Sequence, residues 1–384
     1  MQPSKHLYID SLRGIAILLV LLVHARFLSS DSTYFPAPLL EIIDSGQMGV
    51  QLFFVVSAYT LMASFYSRKS ELFKTRNFFI RRSFRIAPMY YIAIIYFSFQ
   101  NFIGFDYFFT GKMEKEIPLG RLLSNISFTN GFNPYWINNY VPGGWSIAIE
   151  MIFYLCLPFL CRFIKNVNSA SLLFCGSLIC AAILEQLLHY TFLHTNEYLF
   201  YYFPNQLSVF SLGILAFFVV RDGVLKLGPA TVAFLAVTAF IFSFAQLSIH
   251  IALSIGYFLL LVTLAKKQYK LISNNLFAAI GKVSFSMYLV HFAVMYWMTY
   301  LGLNNLIEVN NFSAALLALG IRFSILFGCS FLVSSLTYKL IELPFQKTGA
   351  KLIAMRLPAS VFKWMPGRLI ARKIISANPT DSVS

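Results

Sequence analysis

Two residues eleven positions apart, Arg13 and His24, stand out in a run that is otherwise apolar from about residue 8 to residue 28. On an α-helix, eleven residues rise about 16 Å and return to within about 20° of the starting direction, so both side chains share one face at different depths. Arginine offers a permanent cation that fits a phosphate or carboxylate. Histidine, with an ordinary pKa near 6.5, is suited to take a proton from a hydroxyl and return it to a leaving group. Structural readings stand beside these: Arg13 as a residue snorkelling to a membrane edge, His24 as a group satisfied by a neighbouring helix.

Other ionisable groups in apolar surroundings are Asp10, Glu150, His291, Arg322 and Glu342. Inside a bilayer each costs a few kcal/mol unless it is paired or faces a cavity. Asp10 reads as the partner of Arg13 or of an arginine in the 67–87 segment. Glu150 is placed to orient an imidazole or a sugar, or to sit favourably at a helix N-terminus. Arg82 and Arg85, three apart, project side by side on a helical turn and could grip a phosphate bidentately, which suits a nucleotide-containing donor. They serve equally well as determinants of membrane topology.

The elements that must position these groups follow from composition. The 384 residues are 58% hydrophobic and 17% aromatic but only 12% charged, with a mean hydropathy of +0.69. A soluble domain carries about twice that charge. About ten apolar blocks are long enough to span, near 8–28, 47–66, 88–104, 145–164, 170–189, 198–220, 229–247, 249–265, 281–302 and 313–341. They are continuous rather than alternating, which excludes a barrel. The expected fold is therefore an all-α polytopic integral membrane bundle of about ten transmembrane helices.

The formal net charge of +15 would suit nucleic acid if it were clustered on one soluble face. Instead the Lys and Arg residues fall in alternate loops: 67–87, Arg162 and Lys165, Arg221 and Lys226, 266–282, and the tail after Lys339. By the positive-inside rule these are cytoplasmic, which puts both termini inside. Arg26, Lys112, Lys115, Arg121 and Arg322 are the exceptions. The first apolar run lacks a cleavage pattern and is expected to remain as a signal anchor. Five cysteines lie within spans without ligand spacing and read as packing residues, with no disulfide framework and no metal.

Two loops are long, 67–87 inside and 105–144 outside, and the outer one ends in a turn-rich aromatic stretch, Trp136 to Trp145. Residues 346–384 alternate basic and apolar positions and read as a basic amphipathic cytoplasmic tail. A secondary transporter or flippase is the main rival function, since such proteins also bind anions within the membrane. The sequence shows neither the repeats nor the paired broken helices common in that class. A non-enzymatic scaffold of envelope assembly would explain the hydrophobicity but not the clustering of Arg13, His24, Arg82 and Arg85.

An ordered set of motifs resembles the membrane-bound acyltransferase-3 family. Tyr8-Ile-Asp-Ser-Leu-Arg13-Gly-Ile-Ala-Ile, with His24 after ten intervening residues, is similar to its opening signature. Gly49-Val-Gln-Leu-Phe-Phe-Val-Val-Ser57, Arg82 to Arg85 with Pro88 and Tyr90, Trp145-Ser-Ile-Ala-Ile-Glu150 running to Pro158, Ser286-Met-Tyr-Leu-Val-His291 and Glu342-Leu-Pro344 follow in the family's order. The resemblance spans roughly residues 8–345. It implies transfer of an acyl group, usually acetyl, from cytoplasmic acyl-coenzyme A to a hydroxyl of a surface or lipid-linked glycan in a bacterial inner membrane, with no permanently bound cofactor. It casts His24 as base or acyl carrier with Glu150 beside it, and Arg13, Arg82 and Arg85 as donor-binding residues. Asp10, Trp145, Ser286, Tyr288 and His291 are cast as support. Two positions depart from the pattern: Gln51 stands where an acidic residue is common, and Ala58 where glycine is usual. The expectation is a stand-alone membrane-domain form, without an esterase-like extension.

Overall fold

The computed structural model describes residues 7–102, 118–189, 198–223 and 249–355, and these contain helices and no strand. In chain order the helices are α1 (Leu7–Phe27), α2 (Ala37–Asp44), α3 (Gly49–Ser67), α4 (Lys74–Phe102), α5 (Leu119–Ile126), α6 (Gly144–Phe163) and α7 (Val167–His189). They continue with α8 (Tyr198–Tyr201), α9 (Phe203–Asp222), α10 (Ile249–Lys266), α11 (Asn275–Lys282), α12 (Ser284–Tyr300), α13 (Phe312–Thr337) and α14 (Leu343–Ala354).

Among the described residues, seven helical stretches are long and apolar enough to cross a membrane, and eight if α11 and α12, bent by 71°, form one span. The expected span at 229–247, Lys112, Lys115 and the tail beyond residue 355 lie outside the described residues. Large apolar side chains remain exposed in stripes, such as Leu155, Phe159 and Phe163 on α6, and Leu332 and Leu336 on α13 with Leu340 in the turn that follows it. In water such stripes would aggregate; in a bilayer they meet acyl chains.

The long basic loop expected at 67–87 is shorter. Only residues 68–73 connect α3 to α4, and the arginines sit within the first four turns of α4, a continuous 29-residue helix that contains Pro88. Arginine and lysine are good helix formers, and Arg81 is fastened at the start of α4 by Glu71, at 2.7 and 2.8 Å. The helix therefore carries Arg82 and Arg85 into the bundle instead of leaving them in a surface loop.

At the other end of the chain, α13 passes through a π turn at Tyr338–Glu342 into α14. Helix α14 runs on past residue 345 and packs on α4, where Gly349 meets Phe84. The proposed start of the tail at residue 346 thus falls inside a packed helix.

Helix α1 is central, in contact with α3, α11, α12 and α13. Its crossing with α11 is close enough to require glycine on both sides. A Cβ at Gly14 would fall 2.1 Å from the Phe277 carbonyl oxygen, and one at Gly281 would fall 1.7 Å from that of Asp10. Small residues at a crossing let backbones approach, which is how helices associate where lipid supplies no hydrophobic drive.

Several buried polar groups are paired across helices. Arg322, 2% exposed, reaches Asp31 at 2.6 Å and donates from Nε to the Ala25 carbonyl at 3.1 Å. Gln51 meets Gln206 at 3.3 Å, and Ser286 donates to the Glu342 carboxylate. Arg26, another topology exception, pairs with Asp44. Arg322→Leu would leave the Asp31 carboxylate buried and unpaired, so the variant is expected to lose about 3–5 kcal/mol of stability. Thermal unfolding in detergent measures this, and Arg322→Leu combined with Asp31→Leu should recover a large part of the loss.

Candidate active site

Arg13, Arg82, Arg85 and Glu150, brought from α1, α4 and α6, line one cavity whose atom-free space, its opening to solvent included, is about 670 Å³. Helix α3 supplies Ser57 and Thr60 to its wall, and α12 supplies Tyr288. Arg13 is held by Asp10 at 3.2 Å and by the Thr60 hydroxyl at 3.3 Å. Arg82 lies 5.9 Å from the ring centroids of both Phe78 and Tyr154. Its Nε is buried and donates to nothing among the described residues. A buried arginine donor without an acceptor, beside two further guanidinium groups, is the arrangement expected of an anion site.

Glu150 is the one carboxylate lining the cavity. Its Oε1 accepts hydrogen bonds from Ser57 Oγ at 2.5 Å and Tyr154 Oη at 2.6 Å. It therefore stands with the arginines in the cavity wall. Tyr154 lies one helical turn from Glu150, so local geometry alone brings the two together. Ser57 comes from another helix.

Tyr288 and Ser146 also line the cavity. Tyr288 Oη donates to the Gly143 carbonyl at 3.2 Å, and Ser146 Oγ lies 2.9 Å from the same oxygen and 3.0 Å from Tyr288 Oη. Gly143 has φ +71°, and a Cβ there would fall 2.8 Å from Tyr288 Oη. The residue that caps α6 must therefore be glycine both for its backbone conformation and for the tyrosine to reach.

Beyond Tyr288 lie two histidines. The rings of His24 and His291 pack edge to face with centroids 4.9 Å apart, beside Phe292, and Tyr288 is 5.8 Å from His291. His24 Nδ1 meets the Val20 carbonyl at 2.7 Å, and His291 Nδ1 meets the Met287 carbonyl at 3.1 Å. A carbonyl only accepts, so each Nδ1 carries hydrogen and the neutral ring keeps its basic lone pair on Nε2. His291 Nε2 is buried and without a hydrogen-bond partner among the described residues.

The histidine pair does not line the arginine cavity. Tyr288, which lines the cavity and packs on His291, joins the two regions. Of the residues expected in support, Tyr288 and His291 stand on that join and Asp10 braces Arg13. Trp145 instead packs into an aromatic group, 4.5 Å from the Tyr201 ring and 6.0 Å from Phe54. Ser286 is engaged with Glu342 on another face of α12. The sequence reading missed Thr60; it held Ser146 only within the Trp145–Glu150 motif and Gly143 only among the turn-formers of the outer loop. Only the Gly143-Gly144 pair marked a tight approach there.

These features define a helical membrane protein with a buried cationic cavity leading toward a pair of histidines. The acyltransferase domain profile of the acyltransferase-3 family matches residues 6–339, nearly the whole chain, and the chain belongs to that family. It is 27% identical over 180 residues to the peptidoglycan O-acetyltransferase OatA of Listeria monocytogenes, a match covering 43% of this chain and 26% of OatA. It is 25% identical over 324 residues to the acyltransferase MdmB of Streptomyces mycarofaciens, covering 76% of this chain and 80% of MdmB. The matched part of this chain thus spans about a quarter of the length of OatA. No solved structure matches the chain.

Proposed function

We propose that this protein is an O-acyltransferase that moves an acyl group, acetyl in the first instance, from acyl-coenzyme A on the cytoplasmic side to a hydroxyl of an extracytoplasmic glycan or lipid-linked sugar. The single observation that carries this reading is the cavity lined by Arg13, Arg82, Arg85 and one carboxylate, with Tyr288 in its wall beside His291. Residues 13, 82, 150 and 288 have no local reason to meet. Three guanidinium groups suit the phosphates of the donor, and the pantetheine arm is comparable in length to the rise of about 16 Å between Arg13 and His24. The setting is a bacterial inner membrane with both termini cytoplasmic, supported by the alternation of basic loops.

In this mechanism His24 Nε2 takes the proton of the acceptor hydroxyl as its oxygen attacks the thioester carbonyl carbon. The new C–O bond forms, the C–S bond breaks, and the thiolate leaves with the proton returned from the imidazolium. Holding both substrates in one file contributes by proximity. A two-step form, in which His24 itself first carries the acyl group, conserves the same atoms.

The test is direct. Purified protein given acetyl-labelled coenzyme A and an envelope glycan fraction should move label onto the glycan, whereas a transporter would move its substrate with the thioester intact. Replacing Arg82 and Arg85 together by alanine is expected to weaken donor affinity by about tenfold to a few hundredfold, at about 1.5–3 kcal/mol per pair of charge-assisted bonds lost. Acceptor affinity should stay unchanged. Equal donor affinity in the variant, measured by calorimetry, would return these arginines to a topological role.

A further inference from the structure

A second recess, with about 1200 Å³ of atom-free space, opens at the basic end of the bundle between the last turn of α3, the first turns of α4 and the C-terminal half of α6. Lys69, Lys74, Arg162 and Lys165 line it, and no carboxylate does. The nearby acids are committed elsewhere: Glu71 to Arg81, and Asp222 to Arg221 at 2.6 and 3.0 Å. Hydrogen bonds from Arg81 hold the Glu71 carboxyl below its ordinary range, so it stays ionised and paired through neutral pH. None of the four recess cations makes an ion pair among the described residues.

The Lys74 ammonium, 3.4 Å over the Phe65 ring, is pushed down from its ordinary value by partial burial and by the charges of Lys69 and Lys165. Four like charges around one recess repel each other unless an anion sits among them. The recess is also apolar on one side. Leu155 and Phe159 line it one turn apart, 66% and 59% exposed, and Phe163 continues the stripe along α6. A soluble anion would use the cations and leave this stripe bare. An amphiphile uses both.

We infer that this recess binds an anionic glycerophospholipid, its phosphate held among Lys69, Lys74, Arg162 and Lys165 and an acyl chain lying along Leu155 and Phe159. The recess is separate from the arginine cavity: Phe78 stands between them, 5.9 Å from Phe65 and 6.2 Å from Tyr154 by ring centroids. The inference does not depend on the reaction proposed above.

Native mass spectrometry of the full-length protein in a neutral detergent tests it, with titration of phosphatidylglycerol or phosphatidylcholine of the same chain length. The unmutated protein should retain one phosphatidylglycerol with a preference of about tenfold or more over phosphatidylcholine. Lys74→Gln with Arg162→Gln should abolish the preference, while Lys74→Arg with Arg162→Lys should keep it, each variant being checked for its elution volume and melting temperature. Adenosine 3′,5′-bisphosphate, a soluble phosphate probe, should not displace the lipid. Equal retention of the two lipids by the unmutated protein would overturn the inference. So would a preference that survives Lys74→Gln with Arg162→Gln, or displacement by the nucleotide, which would reassign the recess to a soluble phosphate.

Discussion

His24→Ala is expected to lower acyl transfer by about 10²–10⁴-fold, the range that a positioned general base supplies, with donor affinity close to wild type. The separation follows from geometry. The proposed donor cavity is lined by Arg13, Arg82, Arg85 and Glu150, while the His24 ring packs near Phe27, His291 and Phe292. His24→Gln is the control that distinguishes chemistry from packing. Glutamine keeps a polar group of similar reach and can still hydrogen-bond a backbone carbonyl, but it cannot serve as a base near neutral pH. If His24 only holds α1 against α12, glutamine should restore transfer. If it takes the hydroxyl proton, glutamine should be as inactive as alanine. Full transfer by a folded His24→Ala protein, assayed with acetyl-labelled coenzyme A, removes the residue from the mechanism.

His291 sharpens that experiment. Two imidazoles with centroids 4.9 Å apart pack on each other, so His291 is placed to fix the position of the His24 ring. Both present Nε2, and His291 Nε2 is buried and without a partner among the described residues. His291→Ala should therefore cost less than His24→Ala if His291 tunes and packs against the base. The reverse order would exchange their roles.

Periodicity carried part of this site into the sequence. The shared face of Arg13 and His24 depends only on the helical repeat, as does the adjacency of Arg82 and Arg85, so both were legible without coordinates. Asp10 beside Arg13 is equally local. Contacts between distant segments were not legible. Nothing in the residues around Asp31 indicates that its carboxylate meets Arg322, 291 positions away, or that Ser57 meets Glu150. The start of α4 was misread because a basic run looks like a loop under the positive-inside rule. Helix propensity and the Glu71–Arg81 pair both favour continuing the helix through it. Helix α11 was likewise placed in the basic loop of residues 266–282, ahead of a span expected at 281–302, since a short helix set at 71° to the next leaves no long apolar run of its own.

Gly281→Ala is expected to be the most disruptive single-methyl change in the bundle. The added carbon would lie 1.7 Å from the Asp10 carbonyl oxygen and 2.7 Å from the Asp10 carbonyl carbon. Both are backbone atoms, so no side chain can swing aside, and α1 and α11 must separate. Gly14, facing the Phe277 carbonyl in the same crossing, leaves no slack for compensation. Overpacking of a close-packed core costs about 1–3 kcal/mol even where side chains can yield, and here the cost should reach or exceed the top of that range. Because Asp10 braces Arg13 at 3.2 Å, separation of the helices should also displace a cation of the donor cavity. The folded fraction that survives should bind acyl-coenzyme A more weakly. Gly176→Ala supplies the comparison: it lies within α7 with nothing within 4 Å of the added carbon, and the higher helix propensity of alanine should leave that variant as stable as wild type or more so. Thermal melting of the two variants, followed by size exclusion in the same detergent, should place Gly281→Ala well below Gly176→Ala. Equal melting temperatures would mean that α1 and α11 are not held at this distance, and that the position of Arg13 does not depend on their crossing.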